Sequence, residues 1–146
     1  MNLFGVMEIS GSALKAERVR AEVVAANMAN AETTRTADGG PYRRQQVVFA
    51  AADEQSFAEH LLGAGDASAP VGGVNVAGVV QDASAPLRRY DPQHPDADKQ
   101  GYVSYPDINP LTEMVDLMGA SRSYGLNASA VQAEKSMIAS SLEILK

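Results

Sequence analysis

The chain has 146 residues, 45% of them apolar and 21% charged, with 12 Lys and Arg against 18 Asp and Glu. That length holds one domain rather than a multi-domain enzyme, and a net charge of -6 with no basic block beyond Arg43 and Arg44 or Arg88 and Arg89 speaks against a nucleic-acid partner. The lack of cysteine excludes disulfides, thiolate metal sites and a cysteine nucleophile.

No run approaches the roughly 20 apolar residues of a membrane span. The opening MNLFGVMEISGS has neither a basic start nor an unbroken apolar stretch, so no cleaved secretory signal is expected. Only 8 aromatics stand beside 24 alanines, so large core anchors are scarce and helix formers abundant.

The first predicted element is a helix from Ser10 or Ser12 to about Asn30. Val6, Ile9, Ala13, Ala16, Arg20, Val23, Asn27 and Asn30 step by three and four, a heptad ladder with small or polar residues in its seam. Twenty such residues make a rod of roughly 30 Å. Asn27 and Asn30 carry two readings: a helix stop, since Asn tolerates the left-handed conformation, or a buried amide at Asn27 that fixes helix register.

Six of the 12 glycines and six of the 7 prolines fall within 63–110, so the middle is loop- and strand-rich. PYRRQQVVF (41–49), following the Gly39, Gly40, Pro41 turn, reads as a strand. Val74, Val76 and Val80 alternate with polar or small residues in a second, and GYVSY (101–105) is a third, stopped by Pro106. A short helix is expected over 53–62 and a loop over 63–73. Six of the eight aromatics lie in 42–105, so a small antiparallel β unit is expected there, packed through Tyr42, Phe49, Tyr90, Tyr102 and Tyr105.

The last element is a helix over 110–146. Pro110 suits its first turn, and Leu117, Tyr124, Val131, Ile138 and Leu145 recur at every seventh residue, with Met114, Ala128 and Leu142 widening the stripe. The expected fold is mainly α with a small β insertion: N- and C-terminal helices (1–35 and 110–146) pairing as a coiled-coil-like unit around a β-rich middle (36–109).

Candidate chemistry is sparse. DPQHPDAD places Asp91, His94, Asp96 and Asp98 together and could seat a divalent cation, but its spacing matches no calcium loop and its Asp-Pro and His-Pro steps suit a turn. GGPYRR lacks the Lys-Ser/Thr ending of a phosphate cradle and reads as a turn feeding a strand. His60 and His94, the only histidines, adjoin no nucleophile motif. No catalytic residue, metal site or cofactor is expected, and no small-molecule substrate.

A 35-residue helix is about three times the usual length, and a small β unit cannot cover its stripe. Part of the stripe therefore awaits a partner, and identical copies joined face to different face propagate as rings or open helices. The alternative is a self-contained coiled-coil adaptor.

AANMANAETTRTADGGPYRRQQVVF (25–49), with Asn27 and Asn30 ending the first helix before Thr33, closely resembles the N-terminal signature of bacterial flagellar rod and hook proteins. EMVDLMGASRSYGLNASAVQAEKSMIASSLEILK (113–146) resembles their C-terminal helix, and GGPYRR with YDPQHPDADKQGYVSYPDIN (90–109) is similar to the proximal-rod members. The resemblance implies a non-enzymatic subunit of the basal-body rod, the drive shaft that carries torque across the periplasm to the hook. It implies terminal helices forming an inner tube, and export by the flagellar type III apparatus without signal cleavage. The implied partners are further copies, other rod proteins, and ring or adaptor proteins at the rod base. The expected assembly interface is Ile9, Ala13, Ala16, Val23, Asn27, Asn30, Met114, Leu117, Tyr124, Val131, Ile138, Leu142 and Leu145.

Overall fold

The computed structural model describes residues 3–37, 39–52 and 72–144. Leu145, His60, the helix expected over 53–62 and most of the loop expected over 63–73 lie outside them.

Helix α1 runs Leu3–Ala29, so it begins well before Ser10: its apolar ladder already includes Val6, and Gly5 and Gly11 weaken it without breaking it. Helix α2 runs Pro110–Ile144. Asn109 caps it, its Oδ1 accepting the Leu111 N–H at 3.0 Å, while Pro110 occupies the first helical position, where no N–H is needed. Inside α2, Asn127, Ser129, Ser136 and Ser141 each return a hydrogen bond to the carbonyl four residues earlier, which removes their polar demand from the surroundings.

Strands β1 (Gln45–Ala51) and β2 (Val74–Gln81) form one antiparallel pair, with an irregularity where Val48 faces Gly78 and Phe49 faces Val76. Strands β3 (Leu87–Tyr90) and β4 (Tyr102–Tyr105) form a second. The β part of the described residues is thus two separate two-stranded sheets. The strand expected over 41–49 starts only at Gln45, because the Tyr42 N–H is spent on the Thr33 carbonyl at 3.0 Å and Pro41 has none.

Asn27 on α1 meets Glu113 on α2, and Ser10 meets Glu134, so the helices run antiparallel. The β1–β2 pair lies on another side of α1, where the Ser12 hydroxyl accepts the Val74 N–H at 3.1 Å. The buried apolar side chains are few and mostly small: Ala16, Val24, Val103, Ile108 and Ala120. Of the three largest fully buried side chains, Glu113, Val103 and Asn27, two are polar. The seam between the helices is therefore specified by hydrogen bonds as much as by apolar packing.

Candidate assembly interface

The upper end of the helix pair is organised around Asn27. Its Nδ2 donates to the Gln45 carbonyl at 2.8 Å and to Glu113 Oε2 at 3.0 Å, and its Oδ1 accepts the Gln45 N–H at 2.9 Å and the Tyr42 hydroxyl at 3.3 Å. One amide side chain thus acts as a strand partner to the start of β1 while binding α2, which is the register-fixing role open to it from sequence. Burial pushes the Tyr42 hydroxyl above its usual range, and the Glu113 carboxylate adds to the effect.

Glu113 is 1% exposed, and its charge is met by Arg44 Nε at 2.6 Å. Arg44 also reaches Asp116 at 3.5 Å, and Asp116 reaches Arg20 at 3.6 Å. A continuous set of charge-assisted contacts joins α1, α2 and the segment entering β1. The second reading of GGPYRR is thereby explained: Arg44 is committed to carboxylates, and Gly39 and Gly40, at φ 82° and 84°, form a turn closed by the Thr36 N–H donating to the Gly40 carbonyl. Asn30 does stop α1, by donating to the Ala26 carbonyl and accepting the Thr33 hydroxyl. It does so without a left-handed backbone, since no described non-glycine residue has positive φ.

The acidic loop is likewise spent on its own folding. Asp91 accepts the Gln93 N–H, Asp98 accepts those of Gln100 and Tyr102 and pairs with Arg88, and Asp96 takes the Thr34 hydroxyl at 2.7 Å. His94 Nδ1 accepts the Asp96 N–H. Among the described residues no group of three or more His, Asp or Glu is disposed to hold a metal ion.

The residues expected at an interface divide by exposure. Ala16 and Asn27 are buried; Ala13, Val23, Asn30, Leu117, Val131 and Ile138 are half-buried; Ile9, Met114, Tyr124 and Leu142 are exposed. Of the middle residues, Tyr90 and Tyr102 meet edge to face at 5.3 Å, Tyr105 lies edge-on to His94, Tyr42 joins Asn27, and Phe49 is exposed on β1. Arg88 and Arg89 stack over Tyr102 and Tyr105.

Two features escaped the sequence reading. The first is another phase of the same heptad, Glu113, Ala120 and Glu134, which lies deepest in the seam, with Asn127 half-buried in the same phase; its signal was present in the seven-residue spacing. The second is the outward side of α2. Leu111, Val115, Met118 and Leu126 are 61–70% exposed and recur at helical spacing opposite the seam, with Arg122 among them, whereas Met137, 51% exposed, continues the heptad phase of Asp116, Ser123 and Ala130 beside the seam. Nothing in the described chain covers this face.

Residues 7–35 match the family model described as flagella basal body rod protein, and residues 99–144 match the model described as flagellar basal body rod FlgEFG protein C-terminal. The two matches cover α1 from residue 7 onward and all of α2. The flagellar basal-body rod protein FlgC of Bacillus subtilis is 42% identical, covering 100% of both chains. That of Borreliella burgdorferi is 40% identical over 100% of this chain and 99% of its own. That of Salmonella typhimurium is 38% identical over 99% and 98%. The chain belongs to the FlgC family of flagellar rod proteins.

The FlgC family is structural rather than enzymatic. In this FlgC-family chain the buried polar side chains accordingly connect secondary-structure elements to one another, and the bare surface is a helix face.

Proposed function

We propose that this chain is a structural subunit of the proximal rod, carrying torque from motor to hook. In this reading its two helices act as one coiled-coil-like element of an inner tube. The observation that carries it is the outward face of α2: Leu111, Val115, Met118 and Leu126 form an apolar strip with no cover among the described residues, in a family whose named members are rod proteins. Torque has to pass through non-covalent side-to-side contacts, and a long helix apolar on two sides offers one side to α1 and the other to a neighbour.

The neighbours are further copies and other rod proteins, with ring or adaptor proteins at the base. The stripe from Ile9 to Leu145 named above contributes where it stays open, at Ile9, Met114, Tyr124 and Leu142. The Tyr and Arg side chains of β3 and β4 contribute to an outer layer. The location is the rod across the periplasm, reached by type III export without a cleaved signal. No described helix is long and apolar enough to cross a membrane.

The test is Val115→Asp with Met118→Asp. Both side chains are exposed, so the free chain should melt within about 0.5 kcal/mol of the parent, while rod incorporation and swimming should be lost. Normal swimming would sink this reading.

A further inference from the structure

Glu113 and Glu134 occupy the same seam position three heptads apart, and both are almost fully buried, at 1% and 4% exposure. Their surroundings differ in kind. Glu113 has a guanidinium on one oxygen and the Asn27 amide on the other. Glu134 has only the Ser10 hydroxyl, at 3.3 Å on Oε1, and its Oε2 has no partner among the described residues. Among the described residues the seam supplies a cation to one buried acid and none to the other.

Among the described residues the nearby cations are engaged or exposed. Arg18 is paired with Glu22 at 2.9 Å, and Arg20 lies between Glu17 and Asp116. Lys135 and Lys15 are exposed. Glu17, one heptad along α1 from Ser10, also has a buried oxygen with no hydrogen-bond partner among the described residues, the Arg20 guanidinium standing off it at 3.7 Å, so the same stretch of seam is short of donors. A buried carboxylate without a countercharge opposes folding, and a neutral amide there would keep the Ser10 contact without that penalty.

We propose that Glu134 is an acceptor site for a basic side chain, lysine or arginine, supplied by an adjacent subunit; this rests on the rod reading above. The approach is open in topological terms. The chain leaves α1 at the Asn27 end and enters α2 at the Glu113 end, so between the two helices the contact at the Ser10 and Glu134 end is one of side chains. The chain's acidity, -6 overall, makes a cationic group the complementary visitor. The upper end is closed within the chain, and the lower end is completed by assembly.

The test is Glu134→Gln in the full chain, read twice. In the free chain the melting temperature should rise by about 2 °C or more, because the uncompensated charge is gone. Incorporation into rods, measured in cells lacking the native copy, should fall about tenfold or more, because the visiting cation loses its acceptor. An unchanged or lower melting temperature would overturn the proposal, since the charge would then already be satisfied within the chain. Wild-type incorporation would overturn it equally. Run beside the Val115→Asp, Met118→Asp chain, the experiment separates the two ideas: loss of assembly there with normal assembly for Glu134→Gln leaves the rod reading standing and removes only this site.

Discussion

The two helices solve opposite problems. Helix α1 is covered twice, by α2 along Ser10, Ala13, Val24 and Asn27 and by the β1–β2 pair near Ser12, and its remaining side carries Glu8, Lys15, Arg18 and Glu22. Helix α2 is covered once, and its remaining side carries Leu111, Val115, Met118 and Leu126. A helix with its apolar demand met inside the chain turns charge to water. One that turns leucine and methionine outward is unfinished by itself.

The difference is sharpest in what single changes should do. The largest effect expected on assembly is at the outer face of α2, where paired aspartates at 115 and 118 should abolish incorporation and leave the free chain intact. The largest effect expected on the free chain is at the closed end of the seam. Arg44→Ala would strand the buried Glu113 carboxylate and should destabilise the chain by about 3–5 kcal/mol in chemical denaturation. A loss below about 1 kcal/mol would mean that Asn27 alone satisfies Glu113, and the contrast between a locked upper end and an open lower end would dissolve.

A smaller effect is expected where α1 holds the first sheet. Ser12 bridges the Ile9 carbonyl and the Val74 N–H, at 2.7 and 3.1 Å. Ser12→Ala should cost about 1 kcal/mol and speed amide exchange at Val74 more than at Gln45. Equal acceleration at both ends of the β1–β2 pair would show that the helix supports the sheet as a unit rather than through this hydroxyl.

The same contrast explains what could be read from the residues in order. The C-terminal helix was legible because Pro110 marks its start and no later proline interrupts it. The coarse class, two helices around small antiparallel sheets, followed from where glycine and proline gather. The early start of α1 was missed because Gly5 and Gly11 interrupt its first turns, although Asn2, a residue type that caps helices, stands just before Leu3. Strand β3 was missed because Arg88 and Arg89 read as charge, whereas their guanidinium groups lie over the rings of Tyr102 and Tyr105 on the neighbouring strand. Periodicity located the stripe from Leu117 to Ile138, but a period does not say which of two apolar phases meets the partner helix. Nor does it weigh Glu113 and Glu134, whose burial depends on Arg44, Asn27 and Ser10 arriving from elsewhere in the chain.

The smallest effect expected is far from both helix faces, in the β3–β4 unit, and it depends on pH. Asp98 accepts the N–H groups of Tyr102 and Gln100 and pairs with Arg88 at 2.6 Å, and these hold its carboxyl below the ordinary value of 3.8, the Tyr102 N–H contributing most. A carboxyl held low in the folded chain favours folding above the ordinary value, and that contribution fades as pH falls through the lower, folded one. Amide exchange at Gln100 and Tyr102, corrected for its intrinsic pH dependence, should therefore stay protected at pH 5 and lose protection only as pH falls below the ordinary carboxyl value of 3.8 and through the lower, folded one. Asp98→Asn should lose most of that dependence. The Asn27 amide does not titrate, so the bonds it makes to Gln45 should outlast those of Asp98 in mild acid, and simultaneous loosening at Gln45 and Tyr102 would show that the second sheet is not a separately held unit.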